Sequence, residues 1–331
     1  MRVLEIDSPA PAESRPLRLR QREMPRPGRG QLLVRVEACG ICHTDLHLAE
    51  GDLPLRARPR IPGHQVVGQV LALGEGVQGW QEGERVGVPW LHRACGACDF
   101  CRRGEENLCP GAVFTGWHVD GGFAEAMLAE AAFALRLPGG RSAQECAPLL
   151  CAGIIGYRSL RKADLAPGEC LALVGFGASA HLALQVATGW GCPVVVFTRS
   201  EAHRRHARSL GAVWAGGIED APPQSIDRAI LFAPSGALVP AVLAHLRPGG
   251  TLAVNAIHMS DIPAMAFALI YGERTLRSVA NATYQDGVEY MSLASRQHFQ
   301  VSTRAYDFES ANAALADIKA ARLDGAAVLL P

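Results

Sequence analysis

Net charge is missing from this sequence: 32 Lys and Arg balance 32 Asp and Glu over 331 residues, a formal charge of zero. With no field of one sign to draw a polyanion, neither nucleic acid nor an anionic membrane surface is expected as a partner. Long apolar runs are missing too. The stretches at 170–174 and 194–197 fall far short of the ~20 residues that span a bilayer. The N-terminus has no basic flank followed by an apolar h-region, so a soluble, unexported, cytoplasmic chain is expected. No tandem repeat or low-complexity tract is found. What is present is 49% apolar residues in a chain long enough for two domains, since single cores stop growing near ~250–300 residues. The 35 glycines and 21 prolines are spread along it, as suits a turn-rich β portion joined to an α/β portion.

Ten cysteines in a large, unexported chain point to metal or catalysis rather than to a disulfide scaffold. Four stand as Cys95-x2-Cys98-x2-Cys101-x7-Cys109, with Gly96, Gly104 and Pro110 shaping the loop. Four thiolates so close can complete a tetrahedral zinc site, and a complete site has no open position for chemistry. A structural zinc lobe at 92–110 is the reading, set against iron–sulfur or disulfides; the longer gap departs from ferredoxin spacing. Other donors are dispersed. Cys42-His43-Thr44-Asp45-Leu46-His47 follows an expected strand at 31–37, Gly63-His64-Gln65 comes next, and Cys151 follows Leu149-Leu150 much later. Spacing alone does not separate ligands from buried structural residues here.

Gly175-Phe176-Gly177-Ala178-Ser179-Ala180 is entered by the apolar run 170–174 and left by a helical pattern at 181–187. Gly175 allows a tight turn, Gly177 lets backbone approach a pyrophosphate, and Ala180 allows close helix–strand packing. The helix N-terminus behind Ala178 offers oriented N–H groups to the anion. An apolar strand at 194–197, a charged helix at about 201–210 and strands at 212–214 and 226–232 follow. Alternating β and α with continuous apolar strands implies a parallel, doubly wound, nucleotide-binding sheet.

GICHTDLH, PGHQVVGQV, GERVGV, CGACDFCRRGEENLC, the late Cys151 and VGFGASA together resemble the zinc-dependent alcohol dehydrogenases of the medium-chain dehydrogenase/reductase superfamily, nearly end to end. The resemblance implies a GroES-like β-barrel catalytic domain at 1–152 and a Rossmann domain at 153–290. A C-terminal segment at 291–331, with a helix at 308–321 and a strand at 326–330, would complete the first domain. It implies two zinc ions per chain: a catalytic one on Cys42, His64 and Cys151 with an open fourth position, and a structural one on Cys95, Cys98, Cys101 and Cys109. Asp45 would orient the His64 imidazole, or be a turn-forming residue only. Thr44 would accept the alcohol proton and pass it towards the cofactor ribose and His47, which could equally be a plain solvent-facing histidine.

Two departures from the family pattern stand out. The glutamate that usually follows the ligand histidine is Gln65, and the basic residue of the tail pattern is replaced in Gly325-Ala326-Ala327-Val328-Leu329. Pyrophosphate binding would then fall more to His43 and the helix after Gly177. After the second Rossmann strand stands Thr198-Arg199-Ser200, with no acid to hold a ribose hydroxyl. Arg199, Thr198, Ser200 and Arg204 would instead suit a 2′-phosphate, and NADP(H) is expected over NAD(H); the plain alternative makes Arg199 a solvated loop charge. By resemblance Leu53, Trp90 and Trp117 line the substrate pocket, and large apolar walls favour medium-chain or aromatic primary alcohols and their aldehydes. The tryptophans could also be barrel core. The competing functions are a zinc-independent quinone or enoyl reductase and a non-enzymatic nucleotide-binding relative. A homodimer or homotetramer is expected, pairing through the run at 250–257 and the segment after it.

Overall fold

In the computed structural model, which describes residues 1–323 and 325–331, the first long strand runs past its expected end at Glu37 and spans Gln31–Ile41. Its partner Gln65–Leu73 is antiparallel, with Gly40 opposite Gln65. That register matters for function. The chain leaves one strand just after Ile41 and enters the other just after His64, so Cys42 and His64 emerge at the same end of one pair. Two irregularities, at Leu33/Val34 and Val36/Ala38, break the ladder, as bulges do where a strand bends. The full sheet runs Thr303–Asp307, Ala326–Leu330, Gln31–Ile41, Gln65–Leu73, Arg85–Val88, with Ala126–Glu130 beside the start of Gln31–Ile41.

The core of this unit draws on Val34, Val66, Val86 and Phe123 from the sheet region and on Ala311, Ala314, Leu315 and Ile318 from the helix Ala311–Lys319. Those four helix positions repeat at helical spacing, so one stripe of the tail helix is buried. The contact-defined unit therefore comprises Met1–Cys151 and Thr283–Pro331. The expected return at residue 290 falls instead inside the helix Tyr284–Arg296. Thr283 caps that helix with a capping box, and Tyr290 and Met291 are buried, so the helix acts as one piece.

The second unit, Ala152–Ala282, holds a fully parallel six-stranded sheet. Its order is Trp214–Gly216, Val194–Phe197, Leu171–Val174, Ile226–Leu231, Leu246–Val254, Thr275–Ser278. Every residue of Leu171–Val174 and Val194–Phe197 is buried, as a sheet covered on both faces requires. The strand order reverses beside Leu171–Val174, where such sheets bind ligands past their carboxyl ends. The run at 250–257 is not the sheet edge; Thr275–Ser278, in the segment that follows, covers it. Gly175 turns the chain there with φ +88°, and an added Cβ would lie 2.9 Å from the Ala233 backbone nitrogen. Gly175→Ala should therefore cost about 2 kcal/mol or more of stability, since neither backbone can yield cheaply; guanidinium unfolding of this variant measures it.

Candidate functional site

Cys42 is the N-cap of the helix His43–Glu50, and its sulfur accepts the Thr44 N–H at 3.4 Å. Asp45, three residues on, is almost fully buried. Its Oδ2 accepts the Cys42 N–H at 2.9 Å, and its Oδ1 accepts the Gly63 N–H at 3.0 Å. The same Oδ1 stands 3.4 Å from His64 Nδ1. The imidazole is thus aimed with Nε2 towards Cys42, 3.4 Å from its sulfur. Gly63 has φ +95°, and a Cβ there would press on Phe123 and the Cys39 sulfur, so only glycine can bring the backbone this close.

The third donor arrives from far along the chain. The short helical turn Ala147–Leu150 is fully buried, and Leu150 sits over Gly87, where a Cβ would be only 2.6 Å from its methyl. This seats Cys151 so that Cys42 Sγ, the His64 ring nitrogen and Cys151 Sγ lie within 4.8 Å of one another. Their protons report the crowding. The hydrogen bond from Cys151 drives the Cys42 thiol well below its usual range, against burial, while the same bond and burial push Cys151 up. Burial pulls the His64 imidazole down, but Asp45 and Cys42 outweigh it and raise it to about 10. Burial also raises the Asp45 carboxyl. Two cysteine sulfurs and an imidazole nitrogen packed this tightly are a donor set that one dication can occupy in place of the protons.

The second set is made of sulfur alone. Cys95, Cys98, Cys101 and Cys109 also converge within 4.8 Å, with Cys95 and Cys101 sulfurs 3.8 Å apart and Cys98 and Cys101 3.6 Å. Four sulfurs around one zinc at ~2.3 Å stand about 3.8 Å from one another. Disulfide sulfurs would be bonded at ~2.05 Å, and all ten cysteines are free. Sulfurs in mutual contact leave space for one ion, not for a multi-iron cluster. The Cys98 N–H points at the Cys95 sulfur and the Gly111 N–H at that of Cys109. Backbone N–H groups, first that of Ala97, lower the Cys95 thiol to about 6, whereas burial and its sulfur neighbours push Cys101 up to about 12.

Beside the three-donor set lies a slab of rings. Trp90 meets the His64 ring edge-on at 4.8 Å and stacks on Phe114 at 5.0 Å and Trp117 at 6.0 Å. Trp90 and Trp117 are only partly buried, and Leu53 and Trp117 pack on the rim of the core rather than within it.

Residues 28–139 match the family model described as the alcohol dehydrogenase GroES-like domain. Over 336 residues the chain is 46% identical to the probable alcohol dehydrogenase AdhA of Mycobacterium tuberculosis (strain CDC 1551 / Oshkosh), covering 100% of this chain and 97% of that protein. An alcohol dehydrogenase of Geobacillus stearothermophilus is 34% identical, with 95% of each chain covered. Among solved structures, a cinnamyl alcohol dehydrogenase of Sorghum bicolor superposes with a TM-score of 0.91 at 27% identity, covering 99% of this chain and 96% of that one. This chain belongs to the zinc-dependent alcohol dehydrogenases of the medium-chain dehydrogenase/reductase superfamily. It is an NAD(P)-dependent oxidoreductase of alcohols, built from a GroES-like domain and a Rossmann sheet.

In this alcohol dehydrogenase the remaining expected residues take less uniform positions. Thr44 is buried, and His47, one turn on along the same helix face, is half-buried, with Nδ1 2.9 Å from Asp52 Oδ2. His43 is exposed, its ring 6.5 Å from that of His47. Gln65 is buried, and its Oε1 has no hydrogen-bond partner among the described residues. Gly177 caps the helix Ala178–Gly189 with no side chain over its first N–H groups, and Ala180 is buried. Thr198, Arg199 and Ser200 follow the strand Val194–Phe197, with Arg199 exposed. Both side chains expected there also serve the local backbone: the Ser200 Oγ accepts the His203 N–H at the start of the helix Glu201–Ser209, and Arg204 donates its Nε–H to the Thr198 carbonyl at 2.9 Å. Ala326 is buried in its strand, so the tail offers no cation at that position.

Asp52 and Phe114 were not among the expected residues. Asp52 lies just past the Gly51 that ends the helix, and Phe114 lies three residues before Trp117. Among the described residues no helix is long and apolar enough to cross a membrane. Asp45→Asn puts an amide N–H against either the Cys42 or the Gly63 N–H and should weaken zinc retention by ~10–100-fold. Competition against a chromogenic chelator reads that loss, and unchanged retention would remove Asp45 from the ligand scaffold.

Proposed function

We propose that this enzyme holds one zinc on Cys42, His64 and Cys151 and a second on Cys95, Cys98, Cys101 and Cys109, and that it interconverts uncharged primary alcohols and aldehydes with NADP(H). The observation that carries this reading is the difference between the two donor sets. Four sulfurs can enclose an ion completely, whereas three donors beside an aromatic wall leave a position for a substrate oxygen. When bound, that ion supplies a Lewis acid for the substrate oxygen, and the nicotinamide supplies or takes the hydride.

The chain's own residues do the rest. Asp45 fixes the Cys42 and Gly63 backbones together, so the donors are already gathered. Thr44 holds the alcohol proton at its hydroxyl, and His47, one turn away, takes it onward with Asp52 steadying the ring. Trp90, Trp117 and Leu53 exclude water and favour medium-chain or aromatic substrates. Gln65 contributes no charge near the donors, so the Cys42, His64 and Cys151 set keeps the neutral balance of two thiolates and one dication.

In the Rossmann unit, the turn at Gly175 and Gly177 and the helix N-terminus at Ala178 suit a pyrophosphate. Arg199, with Thr198, Ser200 and Arg204, is assigned to the 2′-phosphate. The thiol donors of both sets need a reducing compartment, which supports a cytoplasmic location. The edge strand Thr275–Ser278, with Phe267 and Tyr271 exposed nearby, supports a homodimer or homotetramer. The two zinc-ready donor sets argue against a zinc-independent quinone or enoyl reductase.

The test is a comparison of kcat/KM for NADPH and NADH with benzaldehyde and hexanal. NADPH should be preferred, and Arg199→Asp should shift the ratio towards NADH by about tenfold or more, the worth of a charged hydrogen bond. An unchanged ratio would remove Arg199 from cofactor choice.

A further inference from the structure

The segment 51–56 leaves the helix His43–Glu50 and carries two residues of the site, Asp52 and Leu53. Its near end is tied to the helix: the Gly51 and Leu53 N–H groups donate to the His47 carbonyl at 2.9 and 3.1 Å. Asp52 Oδ2 holds His47 Nδ1 at 2.9 Å. Its far end is tied elsewhere. The Trp117 indole N–H donates to the Pro54 carbonyl at 2.9 Å, and the Arg56 guanidinium lies over the same ring at 4.8 Å. Trp117 is itself clamped, stacked on Trp90 and Phe114 and edge-on to His118 at 4.3 Å.

We propose that Trp117 is a positioning residue for the proton path, fixing the 51–56 segment so that Asp52 is held against His47, in addition to walling the pocket. This rests on the reading of Thr44 and His47 as that path. A tryptophan serving only as wall has no need of its N–H; here that group is spent on the segment whose second residue orients the histidine. The slab therefore links two parts of the site. Trp90 touches the donor His64, and Trp117, stacked on it, holds the segment that steadies His47.

Charged groups lie near His47 on the segment after its helix and on the elements packed against that helix. Asp52 faces it directly and the His43 ring lies at 6.5 Å. From the elements packed against its helix come Glu13 and Lys319, which are paired with each other and, through Lys319, with Glu50 at the helix end. Asp52 is thus the carboxylate whose placement the segment controls.

Trp117→Phe keeps a ring in the slab and removes the donor. In the full-length, zinc-loaded enzyme, exchange of the Leu53 amide should quicken about fivefold, the effect of one lost hydrogen bond. The pH profile of kcat for alcohol oxidation should move in the same direction as in Asp52→Asn. Arg56→Ala loosens the same segment while leaving the indole in place, and should give a smaller change of the same kind should Trp117→Phe fold poorly. A raised KM with a wild-type pH profile and wild-type Leu53 exchange would overturn the proposal and leave Trp117 as wall alone. If Asp52→Asn itself left the profile unchanged, the proton-path reading would fall instead. Quickened exchange in Trp117→Phe would then still show that the indole holds the segment, but the proposed link to the proton path would be lost.

Discussion

One buried carboxylate holds the catalytic half of this molecule in order. Asp45 takes a hydrogen bond from the backbone of Cys42, another from the backbone of Gly63, and faces the imidazole between them. Two strand ends that would otherwise be separate loops are joined through it. A carboxylate is costly to bury unless its oxygens are satisfied, and the two N–H donors meet that cost only when the loops are correctly placed. Because the same group completes the capping box of the helix His43–Glu50, helix start, loop geometry and donor convergence are one event rather than three.

Register does the rest of the positioning. Pairing Gly40 with Gln65 decides that Cys42 and His64 leave the sheet side by side, since a one-residue slip would move each side chain to the opposite face. Gly87 decides that Leu150 can seat, and Leu150 carries Cys151 into reach. The four-cysteine lobe needs no such long-range help. Its donors lie within one short loop and are gathered by local N–H to sulfur contacts.

That contrast explains what could be read from the sequence. The four-cysteine lobe and the Gly175 turn are local patterns whose chemistry is fixed by spacing, and the parallel sheet follows from continuous apolar strands between helices. The convergence of Cys42, His64 and Cys151 is set by strand register and by packing over Gly87, which composition does not encode, so it entered through resemblance. Unit boundaries were harder: the helix Tyr284–Arg296 carries the same kinds of residue as its neighbours, and what ties it to the first unit is long-range, the Tyr284 N–H donating to Glu106 and its ring meeting Phe133 edge-on. At the 2′-phosphate site the sequence shows which donors exist but not that Ser200 and Arg204 also serve the local backbone. Asp52 escaped notice because an acid after a helix-ending glycine looks like any surface turn.

The central claim is that a three-donor zinc set does the chemistry while a four-donor set holds structure. The most direct measurement is the initial rate of NADPH-dependent benzaldehyde reduction, followed together with zinc content per chain during graded chelation. The account predicts two equivalents at the start and a rate that vanishes as the first is withdrawn, with the fold still intact by circular dichroism. A rate that persists after that zinc has gone would contradict it and place the reaction outside the Cys42, His64 and Cys151 set.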